Sequence, residues 1–250
     1  MSAKRRKSNS SNLPGKSRNA LSAKNRKSSQ KQEKSSSSRV FPQLNARLNA
    51  RDLTGVDSTD LLGREAFRVD PDSVRHVVAG KVVLVTGAPG SIGSELCRRI
   101  LECGPAKLVC LDHSETNLFY LQMELGVTRY DAAIVYFVED FSHSDAMAHV
   151  FDSHQLQVVF HAAGYKHVLM MEQNPRAALE NNVFGLMRFL DVCQAAHCKA
   201  FVLISSDKAV NPTSIMGCTK RLGELILASC ANTAMRCISV RFGNVLGFTR

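Results

Sequence analysis

One stretch constrains the fold more than any other part of the chain: a short apolar run followed directly by three evenly spaced glycines. The run, Val82 to Thr86, shows no polar alternation, which predicts a strand covered on both faces. Gly87, Gly90 and Gly93 follow in the spacing G-x-x-G-x-x-G, and apolar residues at helical spacing come next. A strand, a glycine turn and a helix in this order indicate a dinucleotide-binding site.

The three glycines have separate roles in such a site. The first allows the tight turn, the second lets the backbone approach a pyrophosphate, and the third lets the helix pack against the strand. Free N–H groups at the helix N-terminus then bind the anion. The spacing resembles that of extended short-chain dehydrogenases/reductases, and the alternative is a glycine-rich turn without a ligand. The predicted cofactor contacts in this turn are Gly87, Pro89, Gly90, Ser91, Ile92 and Gly93.

From Lys81 onwards, apolar runs alternate regularly with helical patterns. Strands are predicted at 81–86, 107–111, 134–138, 157–160, 199–205 and 236–241, and helices at 92–103, 115–126, 143–153, 175–196 and 214–232. This alternation predicts an α/β fold, a Rossmann-type doubly wound parallel sheet with right-handed crossovers. The predicted divisions are a disordered basic tail (1–39), a linker with short helices (40–80) and an NAD(P)-binding Rossmann domain (81–250).

The basic character of the chain lies in the predicted tail. The formal net charge is +10, from 32 Lys and Arg against 22 Asp and Glu. Residues 1–39 hold 12 of those basic residues and a single acid, Glu33, so the remainder is close to neutral. We therefore expect no specific nucleic-acid binding by the folded part. The tail is predicted to make at most a weak contact with an anionic surface, and a purely solvated tail is the alternative.

Three features predict a cytoplasmic location, with peripheral membrane association as the alternative. No apolar run approaches the roughly 18 residues that span a bilayer. The basic N-terminus lacks the apolar segment of a secretory signal. The eight cysteines form no CxxC pair and lie mostly in apolar segments, which indicates buried thiols in a reducing compartment and neither a disulfide framework nor a zinc site.

Acidic and small residues stand at the carboxyl ends of the predicted strands, where open α/β sheets bind their ligands. Asp112 ends the second strand about 20 residues after the glycine turn, where a carboxylate accepts hydrogen bonds from the adenosine ribose and favours NAD over NADP. The alternative role of Asp112 is to cap the next helix. Asp140 follows the third strand and can bind the adenine amino group. Ala162 and Ala163 follow the fourth, where small residues let the backbone lie beside the ribose and nicotinamide.

A polar group opens at the end of the fifth predicted strand and precedes a helix. Ser206, Asp207 and Lys208 form the group, and Met216 and Lys220 stand four residues apart in the helix. Short-chain dehydrogenases usually have Tyr-x-x-x-Lys at this spacing, with the Lys on the nicotinamide ribose and lowering the pKa of the Tyr. Met216 cannot act as a base. The alternative for Asp207 and Lys208 is a solvated loop pair.

Several stretches together resemble the CapD-type polysaccharide-biosynthesis family of UDP-N-acetylglucosamine 4,6-dehydratases. They are residues 86–96, 111–115, 161–168, 180–185, 205–213, 216–221 and 241–247. The segment at 60–64 also resembles one just upstream of the cofactor domain in the long, membrane-anchored members, where Met at the Tyr position is usual. The resemblance covers about residues 52–247.

The resemblance implies a lyase that uses NAD, with NADP as the alternative, and does not consume it. Hydride leaves sugar carbon four, the ketone acidifies the proton on carbon five, water is lost from carbon six, and hydride returns to carbon six. By analogy, Ser206 binds a substrate hydroxyl, Asp207 is the acid and Lys208 the base, while Lys220 holds the nicotinamide ribose. The implied substrate contacts are Lys166, Asn182 and Asn244.

The chain departs from the family pattern at three places. Glu139 precedes Asp140 where relatives have Gly, and Leu169 stands where they have Pro. The chain ends at Arg250, just where the family continues, so we expect the C-terminal substrate lobe to be largely missing and the activity to be uncertain. A UDP-sugar 4-epimerase and a non-catalytic NAD-binding module are the alternatives. A homo-oligomer is expected.

Overall fold

The structure is a computed structural model that describes residues 71–128, 130–230 and 233–245. The predictions for the tail (1–39) and for most of the linker (40–80) lie outside these residues. The strands are β1 (Val82–Thr86), β2 (Lys107–Asp112), β3 (Ala133–Val138), β4 (Val158–His161), β5 (Ala200–Ile204) and β6 (Arg236–Val240). The helices are α1 (Pro71–Val78), α2 (Ser91–Glu102), α3 (Glu115–Val127), α4 (Ser144–His154), α5 (Val168–Gln173), α6 (Pro175–Leu179), α7 (Leu186–Ala195) and α8 (Ile215–Ser229).

The six strands form one parallel sheet in the order β3-β2-β1-β4-β5-β6. In its register, Val83 of β1 pairs with Leu108 of β2 on one side and Val158 of β4 on the other. From β1 the chain adds β2 and then β3 on one side of the sheet, and it adds β4, β5 and β6 on the other side. This reversal confirms the predicted doubly wound sheet and creates a crevice at the carboxyl ends of β1 and β4.

Both faces of the sheet are covered, as the unbroken apolar character of β1 predicts. Val83 and Val85 belong to one buried cluster and Leu84 to another, because successive side chains of a strand point to opposite faces. The first cluster includes Leu118 of α3, and the second includes Phe189 of α7. Burial of each such side chain stabilises the fold by about 1.5–3 kcal/mol.

The predicted strand boundaries differ from the observed ones by a single residue. The main departures are helical. The predicted helix at 175–196 is interrupted by a π-helical segment, Glu180–Gly185, between α6 and α7. The six-residue helix α5 was not predicted, because so short a segment shows no clear helical periodicity. Within the described residues, no helix has both the length and the apolar character to cross a membrane.

Candidate functional site

A cavity of about 570 Å³ opens along the carboxyl ends of the strands. This volume lies within the roughly 300–1,000 Å³ of typical small-molecule sites. The structure brings most of the predicted site residues together in its walls. These are Gly87, Gly90, Ser91, Ile92, Gly93, Asp112, Asp140, Ala162, Ala163, Lys166, Ser206, Lys208, Lys220 and Asn244. Pro89, Asn182 and Asp207 are not among the side chains that line it.

The glycine turn is packed too closely for side chains at two of its positions. Gly87 has a φ of +67°, and a Cβ there would lie 2.6 Å from the amide nitrogen of Ala163. A Cβ at Gly93 would collide with the carbonyl oxygen of Gly87. Gly90 is the N-cap of α2 and provides no side-chain cap. No side chain therefore covers the backbone N–H groups in the first turn of α2. Uncovered N–H groups at a helix N-terminus can bind a phosphate group.

Asp112 lies at the cavity edge and holds the turn before α3, but the N-cap of α3 is Ser114 and not Asp112. Its Oδ1 accepts a hydrogen bond of 2.8 Å from the Ser114 amide, at the turn before α3, and the residue also lines the cavity. Asp140 behaves in the same way, because its Oδ1 accepts a hydrogen bond of 2.8 Å from the Ser142 amide while the residue lines the cavity. Each carboxylate is thus held by the backbone at the edge of the site.

Lys220 reaches the cavity from the second turn of α8. Its Nζ donates to the carbonyl oxygen of Ile204 at 3.1 Å, and within the described ranges it has no carboxylate partner. Burial without an acid lowers the pKa of Lys220 to about 8. Gly164 makes room for the amine, since a Cβ at that position would lie 2.8 Å from Nζ. The Lys220 amine is therefore mostly protonated near neutral pH, and no carboxylate among the described residues pairs with its charge.

The Ser206–Lys208 group forms one hydrogen-bonded turn at the rim. Ser206 Oγ donates to Asp207 Oδ1 at 3.0 Å, and Lys208 Nζ donates to the same oxygen at 3.2 Å. These two hydrogen bonds, that of Ser206 first, hold the pKa of Asp207 below its usual range. The Asp207 side chain is 56% exposed, whereas Ser206 and Lys208 line the cavity. Ser206 and Lys208 therefore form part of the cavity wall, and Asp207 lies beside them, open to solvent.

Asn182 lies beneath the site and not in its wall. Its Oδ1 accepts from the Tyr165 amide at 2.8 Å, and its Nδ2 donates to the Tyr165 carbonyl and the Thr219 hydroxyl at 3.0 Å each. The buried amide group is thus occupied by protein partners, so the structure gives Asn182 a role in holding the loop that carries Lys166. Pro89 lies at a separate surface cavity beside Arg98.

His161, at the end of β4, faces the core. Its Nδ1 lies 2.8 Å from Thr86 Oγ1, and its ring packs edge-on against Phe141. Burial, with a smaller effect of the Lys220 charge, lowers the pKa of His161 to about 3, so the ring is neutral. This is the satisfied core histidine that its position in an apolar strand suggests.

The sequence predictions missed a buried carboxylate behind the cavity. Glu224 lies on α8 one turn after Lys220, and its carboxylate binds Ser205 and Arg241. The hydrogen bond to Arg241 is the main cause that lowers the pKa of Glu224 to about 2. The only signal in the sequence is an acid on the apolar face of an amphipathic helix. Tyr165 was also missed as a residue of the cavity wall.

Comparisons with known proteins agree with this architecture. The family model described as "Polysaccharide biosynthesis protein" matches residues 83–249. EpsC of Bacillus subtilis, a probable polysaccharide biosynthesis protein, is 40% identical over 201 residues, which cover 79% of this chain and 33% of EpsC. The capsular polysaccharide biosynthesis protein CapD of Staphylococcus aureus is 37% identical over 208 residues, which cover 82% of this chain and 35% of CapD.

A UDP-N-acetylglucosamine 4,6-dehydratase (inverting) of Campylobacter jejuni is 29% identical over 173 residues, covering 67% of this chain and 50% of that enzyme. The chain thus spans a third to a half of these relatives. Among solved structures, Pen from Bacillus thuringiensis is 32% identical with a TM-score of 0.62, covering 67% of this chain and 51% of Pen. DesIV from Streptomyces venezuelae, a dTDP-glucose 4,6-dehydratase solved with NAD and TYD, is 20% identical with a TM-score of 0.56, covering 64% and 55%, and shares the fold.

Proposed function

Because this chain belongs to the polysaccharide biosynthesis protein family, we propose that it carries the NAD-binding part of a nucleotide-sugar 4,6-dehydratase acting on UDP-N-acetylglucosamine. One observation carries the proposal: the glycines of the β1–α2 turn, Lys220, Ser206 and Lys208 line a single cavity. The name of the Campylobacter jejuni relative supports the choice of reaction and substrate.

The cavity residues fit a dinucleotide. Gly87 and Gly93 keep the turn free of side chains, and the N-terminus of α2 offers N–H groups to a pyrophosphate. Asp112 at the end of β2 suits the free ribose hydroxyls of NAD and would repel the 2′-phosphate of NADP. When bound, the nicotinamide would accept a hydride from sugar carbon four and later return one to carbon six.

Lys220 and Ser206 would orient the sugar for oxidation at carbon four. With its pKa of about 8, the Lys220 amine is mostly protonated at neutral pH and stabilises negative charge on the oxygen being oxidised. Met216 lies in the wall four residues before Lys220, so no phenol is present there, and a water in the open cavity would take the hydroxyl proton. Ser206 Oγ lies in the same wall and can hydrogen-bond that hydroxyl.

The Asp207–Lys208 pair must exchange one proton before it can eliminate water. Ser206 and Lys208 stabilise Asp207 as a carboxylate, whereas the assigned roles need a protonated acid and a neutral amine. The direct hydrogen bond of 3.2 Å from Lys208 Nζ to Asp207 Oδ1 offers the path for that transfer. Neutral Lys208 would then take the proton from carbon five, and Asp207 would protonate the departing hydroxyl of carbon six. Lys208 would give its proton back to carbon five when hydride returns to carbon six.

Incubation of the purified chain, and of a version extended with the C-terminal part of EpsC, with NAD⁺ and UDP-N-acetylglucosamine tests the proposal. The expected product is the 4-keto-6-deoxy sugar nucleotide, identified by NMR and by a mass loss of one water. A UDP-hexose isomer would replace the proposal with a 4-epimerase. NAD binding without turnover, in this chain and in a version extended through the substrate lobe of EpsC, would leave only a cofactor-binding module.

A further inference from the structure

Glu224 is a buried carboxylate that joins three elements behind the cavity. Its side chain is 5% exposed. Oε1 accepts hydrogen bonds from Ser205 Oγ and from Arg241 Nε, both at 2.7 Å. Oε2 accepts from Arg241 Nη2 and from Arg221 Nη1. The carboxylate thus connects α8, the end of β5 and the end of β6 at one point.

The residues held by Glu224 lead directly into the cavity wall. Ser205 precedes the turn that contains Asp207, and Arg241 precedes Phe242. The backbone continues the pairing of β5 and β6 past the strand ends, because the Ser205 amide donates to the Val240 carbonyl at 2.8 Å and the Asp207 amide donates to the Phe242 carbonyl at 3.1 Å. A shift of Arg241 would therefore move the carbonyl that holds the Asp207 backbone.

The geometry of this cluster is more specific than general packing requires. Arg241 binds the carboxylate through two nitrogens, and such bidentate pairs fix orientation as well as distance. A buried carboxylate is unfavourable unless its oxygens are well satisfied, and here both oxygens accept hydrogen bonds. Lys220 stands four residues before Glu224, on the same face of α8, so the helix links the cluster to the amine in the cavity.

We propose that Glu224 is a positioning residue for the dehydratase reaction: it holds the Ser205–Lys208 turn and the segment after Arg241 in register with Lys220. The inference rests on the proposed function, because the groups that it positions are the acid, the base and the ribose-binding amine of that reaction. Glu224 does not line the cavity and so acts only through these neighbours. Since a misplacement of about 1 Å in a reacting group can cost about 100-fold in rate, loss of the cluster should slow the chemical step.

Two variants test the role, with matched controls. Ser205→Ala removes one hydrogen bond and keeps the Glu224–Arg241 pair, so its fold is preserved. Glu224→Gln keeps the shape of the side chain and removes its charge. The control for Ser205→Ala is Ser229→Ala, which removes a hydroxyl on α8 that donates to the Ile226 carbonyl. The control for Glu224→Gln is Glu102→Gln, which changes an exposed acid.

The readouts are kcat and KM for UDP-N-acetylglucosamine, the Kd of NAD, and hydrogen exchange of the 205–209 amides in the cofactor-free chain. We expect Ser205→Ala to lower kcat about 10-fold and Glu224→Gln about 100-fold, while KM and the Kd of NAD change less than about three-fold. Exchange should rise at least about 10-fold at 205–209 and stay unchanged in β1. Both controls should match the unaltered chain.

The outcomes separate this inference from the proposed function. Unchanged kcat and unchanged exchange in both variants would overturn the positioning role. Loss of NAD affinity with faster exchange throughout the sheet would also overturn it, since that indicates general support of the fold. If neither the unaltered chain nor its extended version makes product, the proposed function fails alone, and the exchange of 205–209 in Ser205→Ala still decides whether Glu224 holds the turn.

Discussion

At the scale of single residues, the environment of Lys220 makes the stability of the fold depend on pH. Its amine is half-buried and bonds a backbone carbonyl, and it has no carboxylate partner in the part of the chain that the structure describes. Its pKa of about 8 in the folded chain lies below the ordinary value of 10.5. The folded state therefore binds fewer protons than the unfolded state between these values, so the free energy of unfolding rises as pH increases from about 8 to about 10.5.

Substitution Lys220→Met should remove this pH dependence. At pH 7 the variant is expected to be more stable than the unaltered cofactor-free chain, by at most about 3 kcal/mol, because a penalised buried charge is lost. Urea unfolding at pH 7, 8, 9 and 10 measures the effect. An unfolding free energy that changes equally with pH in both proteins would show that Lys220 is not the titrating group. Turnover by Lys220→Met should fall below detection.

Asp207→Asn and Lys208→Ala should each lower kcat by about 100- to 10,000-fold, the range expected for loss of a general acid or base. Neither residue touches the glycine cradle, so the Kd of NAD should stay within about three-fold. Steady-state assays with isothermal titration of NAD measure both. Asp152→Asn and Lys199→Ala, at exposed positions away from the cavity, are the controls. Full activity in either site variant would refute the assigned acid–base roles.

At the scale of elements, the turn between β1 and α2 depends on one close approach. A Cβ at Gly93 would collide with the Gly87 and Ala88 carbonyl oxygens, whereas a Cβ at Gly126 of α3 would meet nothing within 4 Å. Gly93→Ala should therefore lower the free energy of unfolding by about 1–3 kcal/mol and abolish measurable NAD binding. Gly126→Ala should raise the free energy of unfolding by about 0.5–1 kcal/mol. Equal effects of the two changes would contradict the packing described here.

Asn182 connects the π-helical segment Glu180–Gly185 to the backbone of Tyr165 in the cavity wall. Asn182→Ala would leave the Tyr165 amide and carbonyl without their partner, so we expect a loss of about 1–3 kcal/mol in the free energy of unfolding. Asn174→Ala, whose exposed amide bonds the Met170 carbonyl, should cost less than about 0.5 kcal/mol. Urea unfolding measures both variants. If both variants lost a similarly small amount of unfolding free energy, other groups would have to bond the Tyr165 amide and carbonyl.

At the scale of the whole molecule, the cofactor should stabilise the fold by mass action. NAD binds only the folded chain, so at 100 times its Kd it should add about 2.7 kcal/mol to the free energy of unfolding. NADP should add less at the same concentration because Asp112 is proposed to repel the 2′-phosphate, and Asp112→Asn should make the stabilisation by the two nucleotides more alike. Thermal unfolding in the presence of NAD or NADP measures the stabilisation by each nucleotide. Equal or greater stabilisation by NADP in the unaltered chain would contradict the preference for NAD.

Much of the fold could be predicted from the sequence because its signals are local. The unbroken apolar character of β1, the glycine spacing and the later alternation of strands and helices depend on neighbouring residues only. The carboxyl ends of parallel strands lie at one edge of the sheet, which places Asp112, Asp140, Ala162 and Ser206 together there. The irregular segment at Glu180–Gly185 could not be predicted, since nothing in its residues separates it from a regular helix.

The sequence by itself determined a doubly wound sheet, its ligand-binding edge and the residues that reach that edge. Only the tertiary structure decided which way the polar groups turn: Asn182 points into the protein, and Asp207 is exposed at the rim. It also brought Glu224 together with Ser205 and Arg241, which are 19 and 17 residues away in the chain. The physical reason is that periodicity reports which face of an element is apolar. The contact between two elements depends instead on strand register and helix rotation, which packing of the whole molecule sets.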